Sequence, residues 1–269
     1  MSDQDFSGIP LNMLPSGPAE PLPPWITGVV QTSVGSVSRI ATTWDRNDRR
    51  GEIKARISDR ARMAYTIKPG LLAVGNPTAE SPVLLSANYK LSFDILRREL
   101  AGIDAWILVL DTQGINVWCA AGKGTFGTDE IIRRVRDAGL EKLVSHHKII
   151  SPQLGAPGIK SHLVKKATGF RVKFGPVEAR DIRYYLENGE KVTPAMRQVT
   201  FDIKARTVLV PFELSIVMKK SWLVLLGILV FFGLMPQGIL FHQAFSIGLP
   251  VLMLFLAAVL TGAALTPIL

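Results

Sequence analysis

The chain has one cysteine, Cys119, in 269 residues. A disulfide within the chain is therefore impossible, as is an iron–sulfur cluster held by four of its own thiolates. If the chemistry uses electrons, they come from another protein. Charge is the second scarcity. Lys, Arg, Asp and Glu run through residues 39–220 and then stop, so that Ser221 to Leu269 carries none. That composition suits lipid better than water. An apolar leader is also missing: Met1-Ser2-Asp3-Gln4-Asp5 is acidic and polar, and no signal peptide is read there. Despite a net charge of +9, no stripe of interleaved basic and aromatic residues is present. The basic excess is read as the cytoplasmic bias of a membrane protein, with no nucleic-acid partner.

What is present divides into five parts. Residues 1–24 are rich in Pro, Ser and Gly and are expected to form a disordered tail. Residues 25–80 read as an irregular, partly β lead-in, with β-prone pieces at Val29-Val30-Gln31-Thr32 and Arg39-Ile40-Ala41-Thr42. From residue 81 to 200 strand and helix patterns alternate. The spacing predicts strands at Pro82–Ser86, Ala105–Leu110, Lys148–Ser151 and Phe170–Phe174. It predicts helices over Phe93–Leu100, from an N-cap at Thr128 to a stop at Gly139, over His162–Ala167 and over Val177–Asn188. The continuous run Ala105-Trp106-Ile107-Leu108-Val109-Leu110 fits a central strand covered on both faces. The alternation argues for a Rossmann-like α/β fold, an open and mostly parallel sheet. Residues 201–220 read as a linker. Residues 221–269 read as two transmembrane spans, one from Ser221 to a break near Pro236 and one from Phe245 to Leu265. With Lys219-Lys220 before them, the soluble part is placed in the cytoplasm, on a multi-pass protein of the inner membrane.

The chemistry-bearing residues gather at Asn116-Val117-Trp118-Cys119-Ala120-Ala121-Gly122-Lys123. A lone cysteine is usually a buried small hydrophobe. Three features oppose that here. Cys119 follows a central strand at the edge where open α/β sheets bind ligands. Lys123, one helical turn on, would favour a thiolate if both share a face. Trp118 offers a flat apolar wall to a broad cofactor. A catalytic thiol would need a base, for which His146 and His147 are available. Gly122 to Gly127 matches G-x-G-x-x-G, but it does not directly follow a strand, and a nicotinamide site is disfavoured. A P-loop is excluded because Gly124, and not Ser or Thr, follows Lys123. The segment still suits backbone amides meeting a phosphate. His146, His147 and His162 lack zinc spacing and partner cysteines.

Asn116 to Lys123 resembles the cap-helix signature of mercury-methylating corrinoid proteins, whose cobalamin domain is similar to that of the corrinoid iron–sulfur protein of the acetyl-CoA pathway. The likeness continues through Ser86–Asp94, Leu110–Thr112, Gly122–Thr128, Pro152–Gly158 and Phe174–Ile182. The resemblance implies cobalamin as cofactor, with Cys119 as the catalytic residue and the ligand to cobalt. It implies cofactor contacts from Asn88, Thr112, Asn116, Val117, Trp118, Ala120, Ala121, Gly122, Lys123, Gly124, Thr125, Gly127, Gly155, Ala156, Pro157 and Gly158. Within that set Asn116 and Trp118 shape the cap, and the glycines equally suit ordinary tight turns. Implied partners are a ferredoxin-like iron–sulfur reductant, a methyltransferase that supplies a folate-linked methyl group, and Hg(II) as substrate. The family has more spans than are readable here, so a C-terminally truncated member is expected. The activity implied is a cobalamin-dependent methyltransferase making methylmercury. Methyl transfer to another acceptor in one-carbon metabolism is the alternative, and a membrane-tethered ligand-binding module without catalysis is a third.

Overall fold

A computed structural model describes residues 22–235, 238–239 and 241–266. Most of the expected N-terminal tail thus lies outside the described residues. The chain divides into two compact units. One holds the described residues up to Arg49 together with Tyr65–Gln198, and the other holds Arg50–Ala64 with Val199–Leu269.

The first unit is α/β, built on a seven-stranded sheet in the order β1-β2-β3-β5-β4-β6-β7. Its strands are β1 (Ile26–Thr32), β2 (Gly35–Ile40), β3 (Gly70–Val74), β4 (Val83–Ala87), β5 (Ala105–Leu110), β6 (Lys148–Ser151) and β7 (Arg171–Phe174). The pairs β2/β3, β4/β5, β4/β6 and β6/β7 are parallel, while β1/β2 and β3/β5 are antiparallel. The lead-in expected to be irregular therefore supplies three strands of the sheet. It also holds α1 (Arg46–Ile57) and α2 (Asp59–Ala64).

Burial explains why the central strands form. In β5, Trp106, Leu108 and Leu110 join one core while Ala105, Ile107 and Val109 join the other. A strand pleat sends neighbours to opposite faces, so a continuous apolar run is what a doubly covered strand requires. Ile107, Leu108, Val109 and Leu110 each contribute roughly 1.5–3 kcal/mol on burial. Helices α3 (Lys90–Glu99), α5 (Thr128–Asp137), α6 (Leu140–Leu143) and α7 (Ser161–Thr168) supply Phe93, Ile131, Val135, Leu140, Leu143 and Val164 to the two cores. The segment expected as one helix from Val177 to Asn188 is instead a 3-10 turn at Ala179–Asp181 followed by a short helix, α8 (Ile182–Glu187).

A buried ionic group fastens the N-terminal strands to α3. The Arg97 side chain is fully buried and donates to Asp48 at 2.6 Å, to Asp94 at 2.8 Å and to the carbonyls of Ala41 and Thr43. Lys90 completes it, 2.7 Å from Asp48 and 2.6 Å from Asp94, and the Tyr65 hydroxyl donates to Asp94. Two carboxylates face two cations, so no net charge is left in low dielectric.

In the second unit, α9 (Ile203–Thr207) and α10 (Val210–Gly233) occupy much of the expected linker, and a C-terminal helix covers Leu249–Leu265. Among the described residues one helix, Phe245–Ala263, is long and apolar enough to cross a bilayer, with mean hydropathy 2.2. The first expected span differs from its forecast. Ser221–Gly233 is the apolar half of a pair bent by 41° against Ala205–Lys219, and reaches spanning length only if the two are taken together. Lys219 sits at the bend inside α10, not ahead of the helix.

Candidate functional site at the carboxyl edge of the parallel strands

The strands β5-β4-β6-β7 run parallel, and the chain passes from β4 to β5 on one side and then crosses to β6 on the other side of β4. That reversal is the topological switch point at which open sheets bind ligands, outside their carboxyl ends. Asn88 follows β4, Asp111 to Asn116 follow β5, and a 3-10 segment, Gln153–Gly158, follows β6. The sequence-marked residues are brought together at one edge.

Cys119 lies on α4 (Val117–Lys123), a helix of less than two full turns. So short a helix needs its ends tied. Asn116 is the N-cap, its backbone extended and its Oδ1 accepting from the Cys119 amide at 2.9 Å. At the other end Gly124 closes the helix with φ +82, a left-handed turn that favours glycine. The buried face of α4 is Ala120 and Ala121. Its open face presents Cys119, Trp118, Gly122 and Lys123, with Trp118 54% exposed. The thiol is thus not a core filler: its backbone amide is fixed by Asn116 and its side chain is open.

Beneath α4 the packing depends on missing side chains. Phe126 is fully buried, and its amide donates to the Ala120 carbonyl at 3.1 Å. A Cβ on Gly155 would stand 2.5 Å from the Phe126 ring and 2.9 Å from Ser151 Oγ. One on Gly158 would run into the Phe126 carbonyl oxygen and come within 3.2 Å of Ala121 Cα. Gly155 and Gly158 therefore seat α4 on the 153–158 segment. Ala156 and the exposed Pro157 lie between them. Gly127 is the N-cap of α5 and passes the Gly124 carbonyl, where a Cβ would sit at 2.6 Å. The expected cap, Thr128, instead accepts from the Lys160 amide at 2.8 Å. The six-residue glycine segment is thus the exit from one helix and the approach to the next, with Thr125 Oγ1 turned back to the Ala120 carbonyl.

Asn88 and Thr112 come together, but mainly to shape a loop. Asn88 Oδ1 accepts from the Thr112 amide, the Thr112 hydroxyl and the Gly114 amide at 2.8–3.0 Å. The Thr112 hydroxyl also lies 2.7 Å from the Ile115 carbonyl. Both residues are buried. Their polar atoms are engaged within the chain, so that both residues shape the loop that follows β5. Glu130 adds a link that a sequence cannot show: its Oε1 accepts from the Asp111 amide at 2.8 Å across nineteen positions. Burial works against its charge, but Arg134, the Asp111 amide and Arg133 outweigh that and hold its carboxyl below the usual range.

One polar atom at this edge lacks a partner. Gln153 Oε1 is buried without a hydrogen bond, a state that costs about 1–3 kcal/mol. It lies in the segment that follows β6, at the carboxyl edge of the sheet. Of the histidines, His146 places Nε2 2.9 Å from the Ser81 carbonyl and accepts at Nδ1 from the Lys148 amide. His147 packs on Phe170, 5.3 Å between ring centres. No group of three or more His, Cys, Asp or Glu side chains positioned for a metal occurs among the described residues.

Fold and site together define an open α/β domain whose ligand edge carries a capped, cysteine-bearing helix. Residues 54–186 match the family of the CO dehydrogenase/acetyl-CoA synthase delta subunit. The chain is also similar to gamma subunits of acetyl-CoA decarbonylase/synthase complexes. Identity is 33% over 130 residues in Methanosarcina acetivorans, 28% over 128 residues in Archaeoglobus fulgidus and 31% over 123 residues in Methanopyrus kandleri. These alignments cover 47%, 47% and 45% of this chain, and 27%, 27% and 26% of the relatives. The chain thus spans about a quarter of the length of the curated relatives it matches.

Proposed function

We propose that the α/β unit is a corrinoid-binding methyl-carrier domain in which Cys119 is the protein's donor to cobalt. The observation that carries this is the open thiol of Cys119, on a helix capped at both ends and seated by Gly155 and Gly158 at the switch-point edge. The donor set fits the group. A thiolate is a soft, strongly donating ligand, and the buried acceptor Gln153 Oε1 suits the amide-bearing rim of a corrin. When bound, the corrinoid supplies a cobalt atom that carries a methyl group. The chain's part is to hold the thiolate at a fixed place, with Asn116 preventing α4 from fraying and Trp118 covering one side against water. Likeness to the acetyl-CoA synthase subunits supports methyl transfer in one-carbon metabolism.

A second reading concerns the acceptor. The Asn116–Lys123 signature, with its exposed cysteine, favours Hg(II) as substrate and methylmercury as product. In both readings an iron–sulfur reductant supplies electrons, and a methyltransferase loads the methyl group. The helix Phe245–Ala263 tethers the domain to the cytoplasmic membrane, with the basic α/β unit on the cytoplasmic side.

The ligand proposal is tested on full-length protein loaded with cobalamin. Cys119→Ala is expected to shift the visible absorption bands, and an identical spectrum in the variant would refute it. A methylation assay with Hg(II), a methyl-donor system and a reducing protein then separates the acceptors. Methyl transfer to a one-carbon acceptor without methylmercury would remove the mercury reading.

A further inference from the structure

We infer that Arg50–Ala64 is a membrane-surface segment that lays one face on anionic lipid headgroups; this rests on the proposal that the second unit is inserted in a bilayer. Arg50, Ile53, Lys54 and Ile57 fall at i, i+3, i+4 and i+7 of α1, a single helical stripe. All four are exposed, Ile53 at 55% and Ile57 at 45%. The opposite side carries Ala55, which is buried, and the Glu52–Arg56 ion pair. The usual order is therefore inverted: the charge pair is the half-buried part, and two isoleucines open outward between two cations. In α2 the exposed Arg60 and Met63 repeat the mixture. From Arg50 to Ala64 there are five basic and two acidic residues, leaving a net charge of +3. No ion pair involves Arg50, Lys54 or Arg60 among the described residues.

Two observations choose lipid over water or protein as the occupant. The segment belongs to the same compact unit as Phe245–Ala263, and not to the sheet domain that flanks it in sequence. It is held there partly by the Arg62 guanidinium, 5.2 Å from the centre of the Phe212 ring on α10. The charge is also complementary: apolar side chains interleaved with unpaired cations are the chemistry of helices that lie in an anionic membrane interface. A protein-binding groove would not need the cations, and a water-facing helix would not need the isoleucines.

The test uses the full chain in lipid vesicles, with Cys119→Ser so that a single introduced cysteine carries an environment-sensitive fluorophore. One preparation has Ile57→Cys. The other has Leu254→Cys, at an exposed position of the apolar helix, which reports insertion. Nitroxide-bearing lipid and aqueous iodide are the two quenchers. With about one-third phosphatidylglycerol, position 57 is expected to be quenched by shallow nitroxide lipid at least about twofold more than in phosphatidylcholine alone. Combined Arg50→Gln, Lys54→Gln and Arg60→Gln should abolish that difference, as should high salt. If position 254 meets nitroxide lipid while position 57 stays open to iodide, the inference fails and the membrane proposal stands. If position 57 is shielded from both quenchers, protein covers the stripe and the inference is again overturned. If position 254 is not quenched by lipid, the membrane proposal itself fails, and the inference with it.

Discussion

The Cys119 amide is fixed by one side chain, that of Asn116, and the cost of losing this bond can be stated. Replacing an N-cap residue by Ala costs about 1 kcal/mol, and in a helix as short as Val117–Lys123 no further turns share the loss. Asn116→Ala is therefore expected to lower the melting temperature by a few degrees and to broaden or weaken the cobalamin absorption bands that depend on Cys119. Asn116→Asp should restore both, because its carboxylate accepts the same amide. Gln153 gives the opposite signature. Replacing an unpaired buried acceptor by an apolar isostere is neutral or stabilising. Gln153→Leu should thus leave thermal stability equal or higher, while cobalamin affinity, read by equilibrium titration, falls by roughly tenfold, the worth of about 1.4 kcal/mol. Unchanged affinity would remove Gln153 from the site. Sequence reasoning reached Cys119 through its uniqueness and Asn116 through the resemblance to a cap-helix signature. It had no means to reach Gln153, since an orphaned atom is defined by its surroundings.

The cap helix α4 is an element held by small residues, so enlarging one should move the whole of it. Gly158→Ala places a methyl group against the Phe126 carbonyl and Ala121 Cα, both backbone atoms that cannot swing aside. Overpacking of this kind costs about 1–3 kcal/mol. Faster proteolysis or amide exchange across Val117–Lys123 than across β5 would show that α4 lifts first; equal loss in both would point to global unfolding. The elements legible in the sequence were those with strong local signals. β5 and β6 were read to the residue from their apolar runs, β4 to within one position, and α7 from its spacing. β3 was not, because Gly70–Val74 is five residues long beside Pro69 and near Pro77, and its partner β5 lies more than thirty positions away. β1 carries alternate half-exposed residues and a register shift near Gly28, which blur its period. Thr128 imitates a cap because its hydroxyl stands just before Asp129 and Glu130, while the N-cap is Gly127. Close passage of the backbone at Gly127 decides the matter, and only the fold contains that information.

Across the α/β unit, three carboxylates hold their protons less tightly than usual, and together they set how the protein meets acid. At Asp48 burial opposes ionisation, but hydrogen bonds from Lys90, the backbone at Asp45 and Arg97 win, and its pKa lies below the ordinary value. Glu130 is lowered by its arginines and the Asp111 amide against the same burial, and Glu190 by Lys148 and Lys173. Unfolded, such groups take up protons at about pH 4. Folded, they stay charged below that, so between the two values the unfolded chain binds more protons and stability falls as pH falls. The full contribution is present above about pH 5 and drains away toward pH 3 and below. The three groups differ in weight. Glu190 pairs with partly exposed lysines, and Glu190→Gln should cost less than about 1 kcal/mol. Asp48→Asn leaves the fully buried Arg97 guanidinium with Asp94 as its sole carboxylate, to be shared with Lys90. Breaking a buried ion pair from one side costs about 3–5 kcal/mol. Denaturant titrations of the full chain at pH 7 and pH 4 should therefore show Asp48→Asn far weaker than Glu190→Gln at neutral pH. The gap should narrow in acid, where the unfolded chain takes up a proton at Asp48 and the stability gained from the ionised, folded carboxylate drains away. A gap that widened as pH fell would mean that Asp48 is not held ionised by Lys90 and Arg97, and that its neighbours carry the clamp without it.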